Sequence, residues 1–386
     1  MDKSRKIKKI VLAFDSFKGS LTSMQAADAA TRGIYTELPD CNVVKLTISD
    51  GGEGFTDALA TAVGGNRQEI TCSVTDPLCR PISAKYNILN GDTAIIETAA
   101  ASGLTLLAPS ERNPMITTSL GTGLMIADAI NRGCRKFILG LGGSATNDAA
   151  MGILNALGYN FLDSKGYPLK PIGENLARVA EINCDDTLPA LHECNFTLAC
   201  DVTSPFYGPT GAAHVYAPQK GADPKQVEAL DAGLQNFAKI LSNRFGCDIT
   251  ATPGAGAAGG IGGSLLAILN AQIKHGIDIV LDYLQFDAQI ADADLVITGE
   301  GAIDSQSSAG KAVCGVIARA SQANVPVVAL GGSVSAPDYL LGLGATAVLP
   351  IHSGPIDLAT AMRPNIAAQG IASTLRQVIR LLNTML

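Results

Sequence analysis

Carboxylates recur in this chain where apolar runs end. Asp15 follows the run 10–14, and Asp50 follows Val44, Leu46 and Ile48, with Glu53 just beyond it. Asp201 follows 197–200, and Glu300 and Asp304 follow 295–297. Burial gives no reason for a charge at these places, and any one of the six reads more readily as a helix cap or turn residue. Gathered on one expected sheet edge, they fit another use. Phosphoryl transfer needs carboxylates to hold Mg2+, a group to take the acceptor's proton, and cations for the charge spreading over the moving phosphoryl. Lys18, Lys311 and Lys220 in Pro218–Gln219–Lys220–Gly221 could supply the cations.

The chain's 41 glycines concentrate in loops, and two clusters stand out. In Leu139–Gly140–Leu141–Gly142–Gly143–Ser144–Ala145–Thr146–Asn147–Asp148 a strand over 136–139 turns into a helix that ends at Gly158. Such a turn can present backbone N–H groups to a phosphate or a carboxylate. It can equally be a tight strand-to-helix turn with Asn147 or Asp148 as its cap. The second cluster, 253–263, contains G-x-G-x-x-G with Asp278 about 20 residues on, the spacing of a dinucleotide fingerprint. That fingerprint needs a buried strand just before its first glycine, and here Thr250–Ala251–Thr252–Pro253 precedes it. A helix start approached by phosphate, or close helix packing, fits better. G-x-x-x-x-G-K-[ST] and G-x-S-x-G are both absent, so neither a P-loop nor a serine nucleophile elbow is encoded.

The elements that must hold these residues follow from apolar periodicity. Runs at 10–14, 44–48, 295–297, 327–330 and 347–349 read as buried parallel strands joined by helices, the first helix opening on a Thr22-x-x-Gln25 capping box. Residues 70–98 read as antiparallel strands with turns at Thr75–Asp76–Pro77 and Asn90–Gly91–Asp92. A long helix near 224–244 carries Val227, Leu230, Leu234, Phe237 and Leu241 on one face. The expected fold is α/β: a Rossmann-like parallel-sheet domain formed by both chain ends (1–67 and 286–386), with a second α/β domain inserted at 68–285. An active site is expected in a cleft between the two, at the carboxyl ends of the parallel strands.

At 386 residues, 47% apolar and 16% charged, the chain can fill a core and is not disordered. A net charge of −7 argues against a nucleic-acid or anionic-membrane binder. Nine scattered cysteines without a C-x-x-C pair read as reduced thiols, and four isolated histidines offer no zinc site. The basic N-terminal stretch leads into an apolar run too short for a signal peptide. A cytoplasmic protein, monomer or homodimer, is expected.

Eight ordered segments make the chain similar to the bacterial type-I glycerate kinase family over essentially its whole length. They are Asp15–Ser16–Phe17–Lys18–Gly19–Ser20, Asp50–Gly51–Gly52–Glu53–Gly54, Ala99–Ala100–Ala101–Ser102–Gly103–Leu104, Gly142–Gly143–Ser144–Ala145–Thr146–Asn147–Asp148, Ala199–Cys200–Asp201–Val202–Thr203, Pro218–Gln219–Lys220–Gly221, Pro253 through Gly260, and Ile297–Thr298–Gly299–Glu300–Gly301. The resemblance implies ATP- and Mg2+-dependent phosphorylation of D-glycerate at the 2-hydroxyl, giving 2-phosphoglycerate. The chain departs from the family at Ala302, where arginine is common, and at Leu120 and Leu124, where charges are usual.

Chemistry and position then suggest roles. Asp201 takes or orients the hydroxyl proton, Lys18 balances the transferring phosphoryl, and Asp50, with Asp304, holds Mg2+. Asp15, Ser16, Asn147, Asp148 and Lys220 face the acid. Gly142, Gly143, Ser144, Gly256, Gly259, Gly260 and Glu300 hold the nucleotide. The rival readings are a kinase of a related hydroxy acid, a GHMP-type small-molecule kinase built on the 140–145 loop, a nicotinamide-dependent oxidoreductase using Gly254 to Gly259, and an acid-binding protein without turnover.

Overall fold

The computed structural model describes residues 7–48, 59, 67–304 and 311–385. Asp50, expected to hold metal, lies outside the described residues, as does Glu53. Thirteen strands are described: β1 (Lys9–Phe14), β2 (Asn42–Thr47), β3 (Arg67–Thr75), β4 (Pro81–Leu89), β5 (Thr93–Glu97), β6 (Lys136–Gly140) and β7 (Asn160–Leu162). They continue with β8 (Glu181–Asn183), β9 (Asn195–Ala199), β10 (Gln272–Lys274), β11 (Leu295–Ile303), β12 (Val327–Val334) and β13 (Ala347–Pro350). The chain divides into two compact units, one of Met1–Val63 with His275–Leu386 and one of Gly64–Lys274.

The first unit carries a five-stranded, all-parallel sheet ordered β13-β12-β11-β1-β2. β11 is its middle strand, and β1, between β11 and β2, has Ile10, Val11, Leu12, Ala13 and Phe14 all at 0% exposure. Side chains alternate across a strand, so Ile10, Leu12 and Phe14 share one face, packed on Ala26, Ala27 and Ile34 of helix Ser23–Glu37 and on Ile371, Leu375 and Ile379 of helix Pro364–Met385. Each buried Leu, Ile or Phe there contributes roughly 1.5–3 kcal/mol. Thr22 and Gln25 form the expected reciprocal cap at the start of the first of these helices. Helix Ala312–Gln322 packs on helix Gly276–Tyr283, which belongs to this unit, whereas the expected boundary at 285 places it in the inserted domain. Chain order runs outward from β1 to β2 in one direction and from β11 to β13 in the other. The junction of β1 and β11 is therefore the topological switch point, where open α/β sheets bind ligands.

β11 and β12 run further than their apolar cores suggest. Glu300 and Ala302 pair with Gly331 and Ser333, so Gly299, Gly301, Gly331 and Gly332 are strand residues. They are needed for close approach: a Cβ on Gly299 would lie 2.4 Å from the Leu330 carbonyl oxygen, and one on Gly332 would lie 2.5 Å from that of Gly301.

The second unit is built on a six-stranded sheet ordered β10-β9-β6-β5-β4-β3. β3, β4 and β5 form the expected antiparallel meander, and β5, β6, β9 and β10 are parallel. Helix Pro224–Phe245 buries Val227, Leu230, Leu234, Phe237 and Leu241 and starts on an Asp223–Gln226 capping box. No helix among the described residues is long and apolar enough to cross a membrane.

Candidate active site

In the first unit, the strand ends open onto a cavity of about 370 Å³. Asp15, Ser16, Lys18 and Ser20 reach it from the segment after β1, Glu300 and Ala302 from β11, Asp304 from just beyond β11, and Lys311 from the start of the next helix. Phe17 and Leu21 exchange backbone hydrogen bonds of 2.9 and 3.0 Å, closing a small loop that lifts Lys18 to an exposed tip. Gly19 takes φ +75° in that loop, which an L side chain resists. Asp15 is held at the strand tip by its own N–H, which donates to the Gly299 carbonyl at 3.0 Å, while its Oδ1 accepts from the Ser16 N–H at 2.7 Å. Asp15, Ser16, Lys18, Glu300 and Asp304, singled out in sequence, thus line one cavity.

The far wall of this cavity is apolar, formed by Ile351, Leu358, Ala361, Met362 and Ala367, with His352 beside it. None of these was singled out from sequence. The strand-end rule reaches Ile351 and His352 directly beyond β13, but a search for carboxylates passes over them. Leu358, at 74% exposure, belongs to a single-turn helix, Leu358–Ala361, with no buried residue. Such a segment has no sequence periodicity to read.

In the second unit the relevant edge is the carboxyl ends of neighbouring β6 and β9. Gly142 and Gly143 are exposed, as is Asp201. The strands remain coupled just past their ends, where the Leu141 N–H donates to the Ala199 carbonyl at 3.3 Å. Nothing lies within 4 Å of the position a Cβ on Gly142 would take. This turn is open to a ligand.

Other expected site residues lie in the interior. Asp148, expected to face the acid, has 0% exposure. Its Oδ2 accepts from the Ser119 N–H at 2.7 Å, the Ser119 hydroxyl at 2.8 Å and the Gly152 N–H at 3.2 Å. It ties the starts of helices Leu120–Asn131 and Met151–Ala156 together. Burial pushes its carboxyl above the ordinary range, and those donors pull it back. Asn147 is also fully enclosed, with neither amide atom hydrogen-bonded. Lys220 is 2% exposed, and its Nζ donates to Ser144 Oγ at 2.9 Å and to the Thr146 carbonyl at 2.7 Å. Burial lowers its pKa to about 7, against the opposing pull of Asp148.

The helix expected to open at the 142–148 turn begins only at Met151, after Ala149 and Ala150 in left-handed conformation, and Asp148 fills its start. Gly256, Gly259 and Gly260, expected to cradle phosphates, are buried. A Cβ on Gly256 would lie 2.2 Å from the Pro205 carbonyl oxygen, and one on Gly259 would lie 2.2 Å from that of Thr146. On Gly260 it would meet Leu234 and Phe206 at 3.0 Å. Protein fills the space on the Cβ side of all three, and this close packing requires glycine. The element just before Gly254 is helix Pro224–Phe245 and not a strand, and the dinucleotide fingerprint therefore lacks its frame.

Among the described residues no three acidic, histidine or cysteine side chains converge as a metal site. Mg2+ arriving with a nucleotide needs only one or two carboxylates besides phosphate oxygens, and Asp15, Glu300 and Asp304 around the cavity fit that demand.

Comparison with known proteins agrees across the chain. The profile of the glycerate kinase family matches residues 10–383. A glycerate kinase of Haemophilus influenzae is 44% identical over 376 residues, 97% of this chain and 98% of that protein. A glycerate 2-kinase of Escherichia coli K12 is 41% identical over 328 residues, 85% and 86% of the two chains. The crystal structure of a putative glycerate kinase 2 from Salmonella typhimurium LT2 superposes with a TM-score of 0.84 at 39% identity, covering 98% of this chain and 99% of the other.

Proposed function

The chain belongs to the glycerate kinase family, and from that premise we propose that it transfers the γ-phosphate of ATP to the 2-hydroxyl of D-glycerate, giving 2-phosphoglycerate. The observation that carries the reading is the convergence of Asp15, Ser16, Lys18, Glu300 and Asp304 on one cavity at the switch point of a parallel sheet.

Size and lining favour the nucleotide as the occupant of that cavity. It is roomier than a three-carbon acid requires, and its apolar wall suits a base while its charged side suits phosphates. Lys18 balances charge on the transferring phosphoryl, with Lys311 as a second cation. Asp15, Glu300 and Asp304 are the carboxylates available to Mg2+, which would neutralise phosphate charge when bound. The open turn at Gly142 and Gly143 suits the carboxylate of the acid, and Asp201 on the adjacent strand end takes or orients the hydroxyl proton.

Coupled ADP release against a panel of hydroxy acids tests the reading, with phosphorus NMR to identify the product. A 2-phosphoglycerate signal that depends on D-glycerate and Mg2+ is expected. A fluorescence change with NADH and no ADP release with any hydroxy acid would reject it.

A further inference from the structure

Lys220 is the most deeply enclosed cation described, and the transfer reaction leaves it without a task at the reacting atoms. Ordinary lysines keep their ammonium in water, because burying it costs several kcal/mol unless it is well bonded. Here the stem reaches back from the 3-10 helix Pro218–Lys220 to a segment 74–76 residues earlier in the chain. Its two hydrogen bonds go to Ser144 Oγ and the Thr146 carbonyl rather than to a carboxylate. Ser144 directly follows the exposed pair Gly142 and Gly143, and Thr146 stands two residues further on. The same turn is held from its other side, where the Leu104 N–H donates to the Gly143 carbonyl at 2.9 Å and the Ala145 N–H donates to the Ser102 carbonyl at 2.8 Å. Glycines have no side chains to fix their own conformation, so this turn takes its shape from these ties.

We propose that Lys220 is a positioning residue for the anionic substrate: it never touches the acid, but clamps Ser144 and Thr146 so that the open turn at Gly142 and Gly143 is preformed. Preforming the turn removes an ordering cost from binding. The inference rests on the placement of the acid at this turn proposed above.

The test uses the full chain. Lys220→Met would leave Asp148 buried without its compensating charge, so it is paired with the double variant Lys220→Met/Asp148→Asn and with the milder Ser144→Ala, which cuts one arm of the clamp. Thermal melts and circular dichroism establish folding, and steady-state kinetics follow with each substrate varied. The expected result is a KM for D-glycerate raised about tenfold or more in the Lys220 variants and about threefold in Ser144→Ala. KM for ATP should stay within about twofold, and kcat should fall less than KM rises. If KM for ATP rises instead, the clamp stands but the turn holds phosphates, and the placement of the acid is wrong. If neither KM moves in a folded Lys220 variant, or in Ser144→Ala should the others fail to fold, the clamp is refuted.

Discussion

Two glycine-to-alanine substitutions, one in each glycine cluster, should have opposite consequences. Gly259 sits at φ +73°, and a Cβ there would lie 2.2 Å from the Thr146 carbonyl oxygen and 2.6 Å from Asn147 Cα. Left-handed backbone costs an alanine roughly 1–2 kcal/mol. Backbone atoms cannot rotate out of the way as a side chain would, so the helix start and the 146–147 segment must separate, at about 1–3 kcal/mol for forced overpacking. The sum, roughly 2–5 kcal/mol, corresponds to a fall in Tm of about 4–20 °C for a domain of this size class. Gly142 is the opposite case: its Cβ would meet nothing within 4 Å, and its φ lies outside the left-handed region. Gly142→Ala should leave Tm within about 2 °C while raising KM for the acid, since the new methyl stands where a ligand would approach. Scanning calorimetry and steady-state kinetics on the two variants decide the matter. A Gly142→Ala protein as unstable as Gly259→Ala would refute the argument. So would a Gly259→Ala protein that melts normally and fails only in binding.

Asp201→Asn should lower kcat by about 10²–10⁴ with folding and both KM values nearly intact, as expected when a positioned proton acceptor is lost; near-normal turnover would remove it from the mechanism. Stability should also depend on pH through Lys220. Its folded pKa, about 7, lies below the ordinary 10.5, so the unfolded chain binds the extra proton above pH 7 and stability rises with pH. At up to 1.36 kcal/mol per unit, urea unfolding between pH 7 and 8.5 should show a gain of about 1.5 kcal/mol. Lys220→Met/Asp148→Asn should lose that gain, and a wild type with a flat profile over this window would contradict the burial of a titrating lysine. The window stops at 8.5 because the buried thiols of Cys41, Cys134 and Cys200 have raised pKa values, which reverse the sign at higher pH.

Some of the molecule was readable one residue at a time. Strand runs of three to five residues, the Thr22–Gln25 cap, the helix face from Val227 to Leu241 and the meander through Asp76 and Asn90 depend on local periodicity and turn chemistry, which a sequence carries in full. The carboxylates after β1 and β11 were legible for the same reason: a charge at the end of a buried strand has no hydrophobic explanation. What each glycine and each polar residue faces is not local. Gly142 and Gly259 look alike in a sequence, yet one faces open space and the other a carbonyl oxygen brought there by a chain segment more than a hundred positions away. Asp148 and Lys220 read as ligands because charges are usually exposed, but Ser119, Gly152, Ser144 and Thr146 supply hydrogen bonds that make their burial tolerable. The wall of Leu358, Ala361 and Met362 belongs to the cavity only because the last strand ends beside β12. Sequence alone determined which residues could form strands and carry charge at their ends; tertiary structure alone decided which of them meet a ligand, because exposure is set by distant chain segments that pack against each site.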